Sequence, residues 1–188
     1  MRLPRSADDI AGCADDPLGR PAFPQPRLRP YGADMTQIQI PERYRYAVIA
    51  HAMIKNATAA IIFYEEALGA TELFRIAHPD GRILHAEIQI GDSIIMIGDA
   101  EPPFGDPLSL QATTVGLHVY VEDVDSLFAR AVEAGVEVLQ EVQDMFYGDR
   151  MGMFRDPFGH VWVLLTHVED LEPTEIRARG EQLLAGAD

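Results

Sequence analysis

An α+β fold made of two consecutive βαβββ modules is what this sequence predicts, on three observations. The first is an internal echo. The stretch from His51 to Gly69 returns in residue type and order between His118 and Gly135, with His51 matching His118, Ile54 matching Val121, Asn56 matching Asp123 and Ile61 matching Phe128 at a constant offset of 67 residues. The second is punctuation: each copy runs from an apolar strand through an Asn or Asp cap into a helix that stops at a glycine. The third is the pattern after each helix, an extended run and then two strands around a tight turn. A repeat present only twice fits duplicated halves that close on each other, since a solenoid needs more copies.

In chain order, residues 1–41 carry seven of the thirteen prolines and no hydrophobic period, the composition of a disordered leader, with Met35 a second candidate start. Arg45 to Ile54 reads as a strand, and Asn56 caps a helix over Ala57 to Leu68 that Gly69 ends. Thr71 to Ala77 is the second strand and HPDG at 78–81 a turn. Arg82 to Ile90 alternates, with His85, Glu87 and Gln89 on one side and Ala86, Ile88 and Ile90 on the other, so the apolar side meets a helix and the polar side faces something else. Gly91-Asp92 turns this strand into Ser93 to Gly98. A Pro- and Gly-rich loop, Asp99 to Thr113, links the first module (44–98) to the second (114–168). There the plan repeats: strand 114–121, helix 124–134 between Asp123 and Gly135, strand 136–141, and two strands around Asp156 to Gly159. A tail at 170–188 holds a helix from Pro173 to Leu184.

Composition narrows the function. Of 188 residues, 47% are hydrophobic, enough for one core or for two small half-domains sharing an interface, and no apolar run approaches the ~20 residues of a membrane span. A soluble, cytoplasmic protein is expected. The one cysteine, Cys13, excludes both a disulfide framework and a thiolate cluster. Net charge is -15, and the first 40 residues contribute none of it because five Arg balance five Asp. Such a surface repels phosphate backbones, so nucleic acid is not expected as a partner, whereas a cationic small molecule is compatible with it.

The paired modules, together with NATAAIIFYEEALGATELF, VEDVDSLFARAVEAGVEVL, HAEIQIGDSIIMIGD and FYGDRMGMFRDPFGHVW, resemble the vicinal oxygen chelate superfamily, the glyoxalase/bleomycin-resistance/dioxygenase fold, and within it the PhnB-like branch. The resemblance covers about residues 44–168 and implies a concave, cup-shaped mixed sheet with helices outside, and a homodimer. In metal-using members one ligand comes from the first strand and one from the last strand of each module. Carried onto this chain by counting, those positions are Ile49 and Gly116, then Ile95 and Val163, four residues after the turn glycines. None offers an oxygen, imidazole or thiolate donor, so no metal and no other cofactor is expected at the usual place.

If Ile49 faces the cup, alternation turns His51 and Met53 inward, and His118 and Tyr120 follow Gly116. His85 and Glu87 add the polar side of the third strand. His51, His118 and Glu87 are therefore the candidate catalytic groups, and Met53, His85 and Tyr120 candidate ligand contacts in an apolar cleft. Each has a plainer role open to it: the histidines as hydrogen-bonded filler, His85 and Glu87 as a polar patch at a dimer interface. A displaced divalent-metal site from His51, His118 and Glu87 is permitted by residue type. Tyr147, Asp149 and Arg150 form a second candidate group, with the Arg150 fork suited to a carboxylate or phosphonate and Asp149 orienting it, or the two pinning a hairpin. His160 and His167 read as surface residues at strand ends and Trp162 as core. Three functions remain: metal-free binding of a small organic molecule, as in antibiotic sequestration; metal-free acid–base catalysis by a histidine, as in a lyase or isomerase; and a lyase, isomerase or dioxygenase with displaced metal ligands.

Overall fold

The computed structural model describes residues 41–44 and 47–186; positions 1–40 of the expected leader lie outside them. A single 3₁₀ turn (Glu42–Tyr44) precedes β1 (His51–Ile54), α1 (Ala57–Leu68), β2 (Thr71–Ala77), β3 (Ile83–Ile90) and β4 (Ser93–Asp99). After α2 (Pro107–Leu110) come β5 (Gly116–Tyr120), α3 (Val124–Glu133), β6 (Glu137–Asp144), β7 (Asp149–Arg155), β8 (Val161–His167) and α4 (Pro173–Ala185). The strands form two four-stranded sheets, ordered β1-β4-β3-β2 and β5-β8-β7-β6. In each, the first strand runs parallel to the last and the remaining pairs are antiparallel. The mixed sheets and two βαβββ modules are those the repeat predicts.

Two boundaries differ. β1 begins at His51: of the strand expected from Arg45, positions 45 and 46 lie outside the described residues and 47–50 are not strand, the first described bond to β4 being from Met96 N to Ala50 O. The linker is not all loop: the Asp106 side chain accepts from Ser109 N at 2.9 Å and Pro107 occupies the first turn, which starts α2.

α1 and α3 are each held at their start by the end of their own module's last strand. Asp99 accepts from the backbone N–H groups of Asn56 and Ala57 (2.9 and 3.0 Å), and Thr166 accepts from Val124 N at 2.9 Å. Asn56, at φ 68°, adds a bond from Ala59 N.

The helix-facing sides of the sheets are apolar. Ala52, Ile54, Ala86, Ile88, Ile95 and Ile97 pack on α1, and Phe154, Trp162 and Leu164 on α3. Because α1 also packs against α3, the modules share one core. Trp162 lies in it as expected, 1% exposed. Asp156, in the turn between the last two strands, holds that turn and also joins the modules. Only 4% exposed, it accepts from Tyr64 Oη of α1 (2.6 Å), Trp162 Nε1 (2.9 Å) and the N–H groups of Phe158 and His160. Four donors stabilise a carboxylate that burial alone would disfavour. Burial and Asp156 together push the Tyr64 phenol well above its ordinary range. Arg130 of α3 makes a second tie, donating to the last carbonyls of α1 at Glu65 and Glu66.

Among the described residues no helix is long and apolar enough to cross a membrane.

Candidate functional site

With one side of each sheet under a helix, alternation leaves the other side open. Ladder register then assigns residues to rows. In the first sheet His51, Met96, Glu87 and Phe74 stand opposite one another on the open face. In the second sheet one row is His118, Val163, Met153 and Gln140, and the next is Tyr120, Leu165, Met151 and Gln143.

The first cluster centres on Glu87, 3% exposed. Tyr44, from the 3₁₀ turn, places its hydroxyl 2.7 and 2.6 Å from the two carboxylate oxygens. His85 Nε2 lies 3.5 Å from Glu87 Oε1, and Arg43 Nε 3.9 Å from Oε2. His51 meets His85 edge to face at 5.5 Å between ring centroids. Desolvation first, and the neighbouring His85 second, hold the His51 imidazole below its usual range, which favours its neutral form. Met53 is half-buried beside it.

The second cluster centres on Asp149, 5% exposed. Tyr120 Oη donates to Asp149 Oδ2 at 2.8 Å, and His167 Nδ1 lies 2.7 Å from Oδ1, with its Nε2 2.9 Å from Asp170. Hydrogen bonds to Asp149 and then Asp170 raise the His167 pKa, and the bond to Asp149 raises that of Tyr120. Tyr147 is half-buried, its phenol pushed up by burial and then by the charge of Asp149. Around this polar group Met151, Val163 and Leu165 form an apolar floor, with Met145 and Met153 against it. Gly148, at φ 95°, brings the chain close under Glu169, whose carbonyl oxygen a methyl group there would strike.

Several expectations are corrected. The predicted polar residues form two clusters, not one. His118 joins neither: it is exposed in the row of Val163. Among the described residues no three His, Cys, Asp or Glu side chains are placed to hold a metal ion, so His51, His118 and Glu87 do not assemble the displaced site. Arg150 is not beside Asp149 in space. Neighbours on a strand point to opposite faces, and its guanidinium is taken up on the helix side by Asp125 of α3 (2.7 and 2.8 Å) and by Asp144 (2.9 Å). His167 is part of a cluster rather than a bare strand end, a place that counting alternate residues from Val163 would have given. Tyr44 carried no local signal, since its partner is 43 residues away.

The family described as Glyoxalase/Bleomycin resistance protein/Dioxygenase superfamily matches residues 48–164, more than half of the chain. The chain belongs to this superfamily. An uncharacterized protein of Mycobacterium bovis is 39% identical over 137 residues, spanning 70% of this chain and 90% of that protein. One from Mycobacterium tuberculosis is 39% identical over 137 residues, spanning 70% and 81%. Among solved structures, TioX from Micromonospora sp. ML1 aligns with a TM-score of 0.53 at 26% identity, covering 67% of this chain and 99% of that one. Protein PA1353 from Pseudomonas aeruginosa, at 20% identity, TM-score 0.53 and coverage of 65% and 98%, shows the fold alone.

The superfamily's metal corners do not fit a cation here. Ile95, reached by counting from the turn glycine, faces the helix: it pairs with Ile88 and is buried in the core. The open-face residue opposite His51, equivalent to Val163 opposite His118, is Met96. The count fails because the β3–β4 hairpin turns in two residues, Gly91 and Asp92, whereas five residues separate β7 from β8. Ile49, Met96, Gly116 and Val163 supply hydrocarbon, one thioether and a bare backbone, not the hard or borderline donors that divalent cations require.

Proposed function

We propose that this member of the glyoxalase/bleomycin-resistance/dioxygenase superfamily binds a small organic molecule in the cup of its sheets without a chelated metal. The preferred ligand has an apolar body and a cationic or hydrogen-bonding group. The observation that carries this reading is the second cluster: a buried Asp149 carboxylate, held by Tyr120 and His167, set into a floor of Met151, Val163 and Leu165. An apolar wall with a few oriented polar groups is the usual chemistry of a small-molecule site. Glu87 with Tyr44 offers the same combination on the first sheet. The net charge of -15 favours a cationic group over an anionic one. We take the working unit to be a cytoplasmic homodimer, a reading supported by the open edge strands and by the exposed Phe74, Ile76 and Tyr120.

A thermal-shift series on the full chain tests this, using matched aromatic amines, alcohols and carboxylates. A ligand present at a hundred times its Kd stabilises by about 2.7 kcal/mol, so a binder is readily detected. Amines are expected to raise Tm without being consumed, Asp149→Asn or Glu87→Gln to reduce the rise, and Arg150→Ala, on the opposite face, to leave it unchanged. A rise with the carboxylates alone, or none with any class, rejects the proposal.

A further inference from the structure

Glu87 stands in register between Phe74 of β2 and Met96 of β4, with an aromatic ring on one side and a thioether on the other. The His85 ring lies 5.6 Å from Phe74 and 5.5 Å from His51 between centroids. The group that meets the carboxylate head-on comes from outside the sheet: it is Tyr44, in the 3₁₀ turn that precedes β1. Its one hydroxyl oxygen sits 2.7 and 2.6 Å from the two carboxylate oxygens, so the fork of Glu87 opens directly onto it. A hydroxyl has a single proton to give, which two acceptors here share. A planar cation with two parallel N–H groups gives one to each oxygen, the stronger pairing for a carboxylate. The chain also brings a cation to this place. The Arg43 guanidinium carbon is 4.5 Å from the centroid of the Tyr44 ring, and Arg43 Nε is 3.9 Å from Glu87 Oε2. Ring, hydrogen-bond donor and positive charge are thus presented to Glu87 by the chain itself, as an aromatic cation from solution would present them.

The turn is lightly tied. Among the described residues its backbone bonds stay local, from Tyr44 N to Pro41 O and from Ala47 N to Tyr44 O. Pro41, Arg43, Ala47 and Ala50 are exposed, and Val48 is fully so. The main chain first bonds to the sheet at Ala50 O. The side chains of Arg43 and Tyr44, rather than the backbone of the turn, therefore hold it against Glu87.

We propose that Arg43 and Tyr44 are a built-in occupant of the first-sheet site, displaced by an aromatic cation with two parallel N–H donors, such as an aryl amidine, that pairs with both oxygens of Glu87. The ligand ring takes the place of the Tyr44 ring, beside Phe74, His85 and Met96. The inference rests on the open-face reading and concerns only its first carboxylate. Apparent affinity is then reduced by the fraction of molecules in which the turn already fills the site. Removing an occupant strengthens binding, whereas removing a brace weakens it.

The test is an NMR titration of the full chain, labelled at tyrosine rings and methionine methyls, with benzamidine as probe and benzamide as its neutral match of nearly the same shape. Benzamidine is expected to shift Met96 with a Kd on the order of 1 mM, as a ligand of so few atoms allows, and to move the Tyr44 ring signals toward those of a free tyrosine. Benzamide is expected to bind at least about tenfold more weakly, since it lacks the charge. Tyr44→Phe is expected to tighten benzamidine binding about tenfold, and Arg43→Ala about threefold. The Arg43 side chain is half exposed, so that second variant keeps the test open if Tyr44→Phe disturbs the fold. Glu87→Gln is expected to abolish the Met96 response up to roughly 10 mM, and Asp149→Asn to leave it unchanged. Unchanged or weaker binding to the folded Tyr44 and Arg43 variants makes the turn a brace and overturns the proposal. A Tyr44 ring that stays in place while Met96 responds, or equal binding of benzamide, overturns it too. Shifts confined to Met151 and Met153 and lost in Asp149→Asn also overturn it, while supporting the open-face reading at the second sheet. No response to benzamidine anywhere overturns it as well, and the open-face reading is then decided by its own series of amines.

Discussion

The open face of the first sheet and that of the second share a ladder but carry their charge in different rows. Glu87 stands in the row of His51, whereas the residue in that place on the second sheet, in the row of His118, is Met153. Asp149 sits four residues earlier on β7, about 13 Å along the strand. The helix anchors, by contrast, keep their places: Asp99 and Thr166 both hold a helix start from the end of the module's last strand. The helix anchors therefore match across the repeat, as do His51 and His118 in the first strands, whereas the two cup-facing carboxylates do not. Glu87 also rests on one close partner, Tyr44, while Asp149 has two, Tyr120 and His167.

The sharpest way to break this comparison is at the row assignment itself. Ile95→Gln is expected to destabilise by about 3 kcal/mol, because it removes buried hydrocarbon and strands an amide against α1. Met96→Gln, one residue on but facing the cup, is expected to change stability by about 1 kcal/mol or less. Urea unfolding of the two variants decides it; the reverse order would return Ile95 to the open face and undo the equivalence of Met96 with Val163.

The legibility of the sequence divides along the same line. The helices are legible because Asn56, Gly69, Asp123 and Gly135 act on their own neighbours, and the facing of His51, His85 and Glu87 is legible because alternation runs unbroken within a strand. Ile95 is misplaced by counting across a hairpin whose length differs between modules. Arg150 is misplaced by treating neighbours in sequence as neighbours in space, which a strand forbids. Tyr44 with Glu87 and Tyr64 with Asp156 depend on contacts 43 and 92 residues apart, and no local pattern encodes those.

A smaller effect separates the two carboxylates. Tyr44→Phe removes the close donor of Glu87 and leaves, among the described residues, His85 at 3.5 Å and Arg43 at 3.9 Å. A loss of about 2 kcal/mol is expected, the scale for stranding a buried charged acceptor. Tyr120→Phe leaves Asp149 its bond to His167, so about 1 kcal/mol is expected. Equal losses in denaturant melts would mean that the two clusters are equally braced and that their difference in partners has no energetic weight.

The finest contrast is in pH. His167 has its pKa raised by Asp149 and Asp170, so its contribution to stability is complete below the unfolded value of about 6.5 and fades as pH rises through the folded one. His51 has its pKa lowered by desolvation and His85; the folded state prefers it neutral, so that preference holds above about 6.5 and is lost as pH falls through that value to the folded pKa. The two faces thus respond in opposite senses on either side of the same pH. Titration of the histidine ring signals by NMR is expected to find His167 above and His51 below a free histidine, and Asp149→Asn to lower His167 while leaving His51 in place. A single shift of both by that substitution would show the two clusters to be one electrostatic unit, and the division of the open face into two sites would fail.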